Sequence, residues 1–361
     1  MIKSATNNTQ FALVLSGGGA KGAWEAGFLK YVAEKWGQKF SVVCGSSIGA
    51  MNGMLYCAAA HDEKNLSKMI VDPWNKISFT KAVGIPFRDY IKGNICSLLD
   101  NSPLIDFINQ NLDTQQYRSN MDKGIVGSHI VTTTNLNSRK SYVWVDTTNN
   151  KNYDAITHTV KKVKLTATHI VASGAIPVAF KPTKIDGNWH SDGSATNNTP
   201  ILPAIMSFYN DENGQTSPNN LDRKAKILVI TQPDPDVASR VWEKCPNIIV
   251  STSHLTDAMF ANHMLQDISK ANIINSFLDT MGVKSYGKYR KIELLVARPT
   301  KSVDSLATTA AADMGLGFLP DNLTSSAAFI FIVQPYIQRL LKLGYDDAVS
   351  MHSQLDEFFK E

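Results

Sequence analysis

The sequence predicts an α/β fold, a mostly parallel central sheet with helices on both faces. Three observations predict it. A chain of 361 residues, 43% of them hydrophobic, can bury a sizeable core, either as two domains or as one large α/β domain. An apolar run, a turn and a helical stretch then follow one another twice before residue 60, as consecutive βαβ units require. Further β-rich runs come downstream, several of them separated by polar loops.

The elements can be justified in order. "QFALVLS" (10–16) is a short apolar run suited to a buried strand. In "AWEAGFLKYVAEKWG", Ala26, Leu29, Val32 and Ala33 recur at helical spacing and Gly37 supplies a stop. "FSVVCG" (40–45) is the second strand, and "SIGAMNGMLYCAAA" a buried helix of small residues. Residues 61–122 change character, with scattered aromatics (Trp74, Phe79, Phe87, Tyr90), then the amphipathic "SPLIDFINQNL". Two readings stay open there: a subdomain packed on the sheet, or a lid hinged at Gly84, Pro86 and Gly93. "SHIVTTTNL", "SYVWV", "AKILVITQP" and "KIELLVARP" read as strands, and "DTTNNKN" and "NDENGQTSPNN" as turns. The tail from Phe329 reads as two helices divided at Gly344. The expected organisation is one catalytic domain over 1–325, with a helical segment over 326–361 packed on it.

Composition narrows the function. A net charge of +4 without a Lys/Arg block argues against a nucleic-acid partner. Cys44, Cys57, Cys96 and Cys245 form no C-x-x-C pair and read as free thiols of a reducing compartment. The polar start "MIKSATNNTQ" is no secretory signal, and no run approaches the roughly 18 apolar residues of a membrane span. The expected location is cytoplasmic or peripheral to a membrane, with secretion lacking a cleavable signal left open.

Three motifs carry chemistry. Gly17, Gly19 and Gly22 satisfy G-x-G-x-x-G, but no acid stands where a dinucleotide's ribose would need one, because that strand ends in Cys44-Gly45-Ser46-Ser47. A Walker loop fails too, since Lys21 precedes Gly22 and no Lys-Ser/Thr pair follows. No cofactor is expected. What remains is a glycine loop opening a helix, whose bare N–H groups favour developing negative charge, such as an oxyanion. Gly45-Ser46-Ser47-Ile48-Gly49 fits the G-x-S-x-G elbow that lifts a nucleophilic serine out of a sheet, although alone it also suits a plain N-cap turn. Asp192-Gly193 in "DGSATNNTP" is by itself an ordinary turn. A serine nucleophile needs a base, and His190, His254 and His263 are available for a Ser-His-Asp triad. No H-E-x-x-H or carboxylate cluster suggests a metal.

Together these blocks resemble the patatin-like phospholipase family. "SGGGAKG" is similar to its oxyanion block, "GSSIG" to its elbow, "ASGAIPVAFKP" (172–182) to its A-x-x-A-x-P-x-x-F block, and "DGSATNNTP" to its Asp-Gly block. Two departures are mild: Ser46 where threonine is usual, and Ser194 where glycine or alanine is usual. The resemblance implies a three-layer α/β/α fold and a Ser47–Asp192 dyad. It implies oxyanion amides from Gly17, Gly18 and Gly19, supported by Lys21, Gly22, Gly45, Gly49 and Gly193. Lys21 could add field near the oxyanion, although a first-turn lysine is more often solvated. A free aspartate, with a pKa of about 3.9, is a poor base, so the dyad requires a dehydrated pocket that raises it. The implied substrate is a phospholipid or lysophospholipid met at a transient membrane surface. The sequence does not reveal whether an activating protein is needed. The alternative is a catalytically silent lipid-binding or interaction module.

Overall fold

The computed structural model describes residues 9–91, 93, 95–148, 158–209, 224–232, 245, 248–286, 289–316, 328 and 331–360. The polar start, much of the two turn segments and part of the 327–333 run lie outside the described residues.

Strand β1 (Thr9–Leu15) leads through a single 3₁₀ turn (Gly19–Lys21) into α1 (Gly22–Trp36), which Gly37 ends with a φ of 66°. β2 (Val42–Ser46) leads into α2 (Ile48–Ala59). Five helices follow: α3 (Leu66–Lys76), α4 (Phe79–Ala82), α5 (Phe87–Ile91), α6 (Ser102–Asn111) and α7 (Thr114–Asp122). Next come β3 (Ser128–Asn135), β4 (Lys140–Thr147), β5 (His158–Lys162), α8 (Ala167–Ser173), β6 (Thr183–Ile185), β7 (Asn188–Asp192), α9 (Ser194–Asn197) and α10 (Ile201–Tyr209). After β8 (Lys224–Ile230) runs a 33-residue helix, α11 (Ile248–Thr280), which the sequence pattern did not announce. A small hairpin of β9 (Ser285–Tyr286) and β10 (Tyr289–Arg290) precedes β11 (Glu293–Ala297) and α12 (Val303–Asp313). The chain closes with α13 (Gln334–Ser350) and α14 (His352–Phe359).

The main sheet has the order β11-β8-β1-β2-β3-β4-β5, with the β6–β7 hairpin joined to β3. All neighbours along that path are parallel except β3 and β4. Alternation along β1 shows why both faces are covered. Phe11, Leu13 and Leu15 enter a core shared with α1, α2 and α13, whereas Ala12 and Val14 enter a second core shared with α10 and α11. This is the mostly parallel α/β sheet that the sequence predicts.

One expected boundary is wrong. Gly344 does not divide the tail, because α13 runs through it and ends at Met351. A Cβ on Gly344 would stand 1.9 Å from the Trp24 carbonyl oxygen, and one on Gly27 would stand 2.1 Å from that of Leu341. The glycine serves close backbone contact between α1 and α13, not a turn.

Residues 61–122 split in two. Trp74, Phe107, Ile108 and Leu112 are buried in the main core. Between them Ile85, Phe87, Ile91, Ile95 and Leu98 are 58–72% exposed. Among the described residues no helix is long and apolar enough to cross a membrane.

Candidate active site

The elbow is built by close packing. Ser47 connects β2 to α2 with φ 52° and ψ −123°, a conformation costing a β-carbon-bearing residue about 1–3 kcal/mol. Its neighbours must be glycine: a Cβ on Gly45 would lie 2.4 Å from the Gly49 backbone, and one on Gly49 would lie 2.4 Å from the Leu15 oxygen. The strained peptide is held by a side chain from α8. The Ser47 N–H donates to Ser173 Oγ (2.8 Å), which in turn donates to the Thr132 carbonyl (2.7 Å).

Strand register brings Asp192 to Ser47. β2 pairs with β3 as far as Ser46 opposite Thr132, and β7 takes over the same edge with Asp192 opposite Thr133. The carboxyl ends of two strands running in opposite directions therefore meet head to head. At that junction Ser47 Oγ donates to Asp192 Oδ2 at 2.7 Å. The other carboxylate oxygen accepts the Ser194 N–H at 2.7 Å. Gly193 permits the turn, since a Cβ there would stand 2.3 Å from the Thr132 oxygen. Ser47 and Asp192 are both buried. Burial pushes Asp192 up to about 6, against the opposing pull of its hydrogen bonds from Ser47 and Ser194.

Parallel pairing of β1 with β2 sets the glycine loop beside the elbow. The three glycines are not equivalent. Gly17 is committed elsewhere, because its N–H donates to both Oδ1 (3.0 Å) and the carbonyl (3.2 Å) of Asn198. This sets Gly17 apart from the other two expected oxyanion amides. The Gly18 and Gly19 N–H groups have no hydrogen-bond partner among the described residues. Gly18 admits no side chain without displacing Gln232, whose Oε1 would be 1.6 Å from its Cβ. Gly22 packs on Ile48, at the start of α2.

Lys21 departs from the solvated reading. It is buried and ion-paired with Asp304 of α12, 2.8 Å away.

Other residues here escaped the sequence reading. Glu25 on α1 is fully buried and takes hydrogen bonds from the Ser16 N–H (3.0 Å) and Asn52 Nδ2 (3.0 Å), while Asn52 Oδ1 accepts from Trp74 Nε1 (2.9 Å). Burial pushes Glu25 up to about 8 despite those bonds. One signal could have found it. Glu25 stands four, seven and eight residues before Leu29, Val32 and Ala33, on the helix's apolar stripe. The two departures from the family pattern also meet in space, with Ser46 Oγ and Ser194 Oγ 3.4 Å apart. No sequence signal linked them.

Neither His190 nor His263 has a hydrogen bond to the serine among the described residues. His190, two residues before Asp192, bonds Thr133 Oγ1 and Asn135, and burial pushes it down to about 4. His263 lies on α11 with its Nδ1 unpartnered, and the side chain of His254 lies outside the described residues. Among the described residues no group of His, Cys, Asp or Glu is arranged to hold a metal ion.

A serine beside a buried carboxylate, in a site that also holds backbone amides unpartnered among the described residues, supplies the kinds of group that acyl transfer through an oxyanion requires. The family model for patatin-like phospholipases matches residues 13–205, the stretch that supplies all of these groups except Asp304 and Gln232. Among curated proteins none matches this chain. Among solved structures, the crystal structure of VipD from Legionella pneumophila is similar at 13% identity and a TM-score of 0.37, over 96% of this chain and 67% of that one.

Proposed function

This chain belongs to the patatin-like phospholipase family, whose members act on lipid acyl groups, and from that premise we propose that it is a serine esterase cleaving phospholipids or lysophospholipids through a Ser47–Asp192 dyad. One observation carries the reading, the 2.7 Å hydrogen bond from Ser47 Oγ to Asp192 Oδ2. As Oγ bonds to the ester carbon, its proton passes to Asp192 and the carbonyl oxygen becomes an oxyanion facing the Gly18 and Gly19 amides. Collapse breaks the bond to the alcohol, which leaves with the proton from Asp192. Water then attacks the acyl-serine, gives its proton to Asp192, and releases the fatty acid as Ser47 regains its hydrogen.

The elevated pKa of Asp192 supports the assignment of base. A carboxylate near 6 is ionised at neutral pH yet accepts a proton more readily than a free aspartate. The rim supports a lipid surface as the meeting place. Leu98 and Leu99 donate backbone hydrogen bonds to the carbonyls of Val178 and Ala179, and Val178 is itself 68% exposed. The same block reaches the dyad, since the Asp192 N–H donates to Ala175 O at 2.9 Å. Segment 85–98 is thereby linked through the 175–179 block to the site, and its exposed apolar side chains suit insertion among acyl chains.

Covalent labelling tests the reading. A fluorophosphonate should modify Ser47 and no other serine, read by mass spectrometry of the digested protein. An unlabelled Ser47 in folded protein would favour the silent binding module.

A further inference from the structure

We infer that Asp304 is a positioning residue for the glycine loop, acting through Lys21 from outside the family-matched segment. The inference rests on the hydrolase reading for its effect on rate, but not for its effect on structure. Lys21 closes the 3₁₀ turn that Gly19 opens, and its N–H donates to the Gly18 carbonyl at 3.2 Å. Whatever fixes Lys21 therefore fixes the peptides that carry the free amides. The Lys21 side chain is 8% exposed, and its ammonium sits 2.8 Å from Asp304 Oδ1, whose side chain is 30% exposed. A buried ammonium is expensive unless paired, so this ion pair tethers the lysine, and with it the turn, to α12.

The backbone on either side of Asp304 is tied to neighbouring elements. The Val303 carbonyl accepts from Tyr336 of α13 (3.2 Å), and Ser302 caps α12. Two residues further back, Thr300 donates from its N–H to Asp347 of α13 (3.2 Å). Asp347 is buried and also accepts from Trp24 Nε1 on α1 (2.7 Å). Residues 300–304 thus reach the start of α1 at two points three residues apart, Lys21 directly through Asp304 and Trp24 indirectly through Asp347. Both points are anchored to α13, which touches α1 backbone to backbone at Gly27 and Gly344. The region beyond residue 205 is on this account a clamp for the oxyanion side of the site.

The test combines kinetics with amide exchange. In Asp304→Asn, kcat on a short-chain soluble ester should fall about 10²-fold with KM little changed, as for a donor displaced by about 1 Å. Asp304→Glu should retain most of the rate. Exchange at the Gly17 and Lys21 amides should become at least several-fold faster in Asp304→Asn, while β1 stays protected. A merely structural role would lower Tm and leave kcat and loop exchange alone; that result overturns the inference. Should Asp304→Asn fail to fold, Lys21→Met with Asp304→Leu removes both charges together, and wild-type kcat in that variant also overturns it. If the wild type hydrolyses no ester, the hydrolase reading fails, and exchange alone decides the role of Asp304.

Discussion

The strand junction at Ser47 and the segment 85–98 lie within one connected stretch of structure and could hardly be built more differently. At the junction every polar group is buried and most are bonded: Ser47 to Asp192 and Ser173, Asp192 to Ser194, Gly17 to Asn198. In 85–98 the apolar side chains point outward, with Phe87 and Ile91 each about 70% exposed. On the proposed function the contrast is a division of labour. Chemistry needs groups that do not move, so its strain and buried charge are held by packing. Contact with a lipid surface needs apolar area offered to solvent, which no tight core can provide.

Breaking the junction should have the largest effect. Ser47→Ala should take esterase activity to near background while Tm stays close to wild type, because the elbow's strain lies in its backbone. Hydrolysis of a chromogenic ester with a parallel thermal melt checks this. Next comes the loop: Gly18→Ala should push against Gln232 and re-aim the amide, costing about 10²–10³ in kcat with KM nearly unchanged.

The rim should respond in a different currency. Phe87→Ser with Ile91→Ser should weaken turnover of vesicle-bound lipid by about tenfold or more, from lost burial of about 1.5–3 kcal/mol for each side chain. Turnover of a soluble short-chain ester should be unchanged, and parallel assays on both substrates read the difference. Equal losses on both would erase the division between the two regions.

Smaller effects follow from the buried carboxylates. With Asp192 as the base, the ionised form is the active one, so kcat/KM should rise with pH through about 6 and level above it. Glu25 is raised from 4.5 to about 8, so the folded state holds its proton more tightly than the unfolded chain. Its contribution to stability is complete below pH 4.5 and is lost as pH rises through 8. Glu25→Gln should flatten the fall of Tm across that window. His190→Ala, which touches no dyad atom, should leave most of the activity.

The parallel sheet and the groups at the junction were legible because each depends on local chemistry. Glycines flanking Ser47 and an Asp-Gly turn can be read in a few residues, and β-rich runs mark strands. What could not be read was commitment over distance. Gly17 looks like its two neighbours, and only Asn198, brought in from α9's far end, takes its amide away. Lys21 looks solvated until Asp304 arrives from the far side of the chain. Gly344 looks like a break because a helix-on-helix contact leaves no mark in a single stretch of sequence. In 61–122 the spacing of aromatics could not tell Trp74, bonded to buried Asn52, from the exposed Phe87.

The central claim is that one carboxylate, delivered by β7 to the end of β2, serves as the base for Ser47. Substituting Asp192→Asn removes the base and keeps the shape, and kcat/KM on a soluble ester measures the consequence. The account expects a loss on the order of 10⁴-fold or more with the melt unchanged. A folded Asp192→Asn enzyme within tenfold of wild type would contradict it.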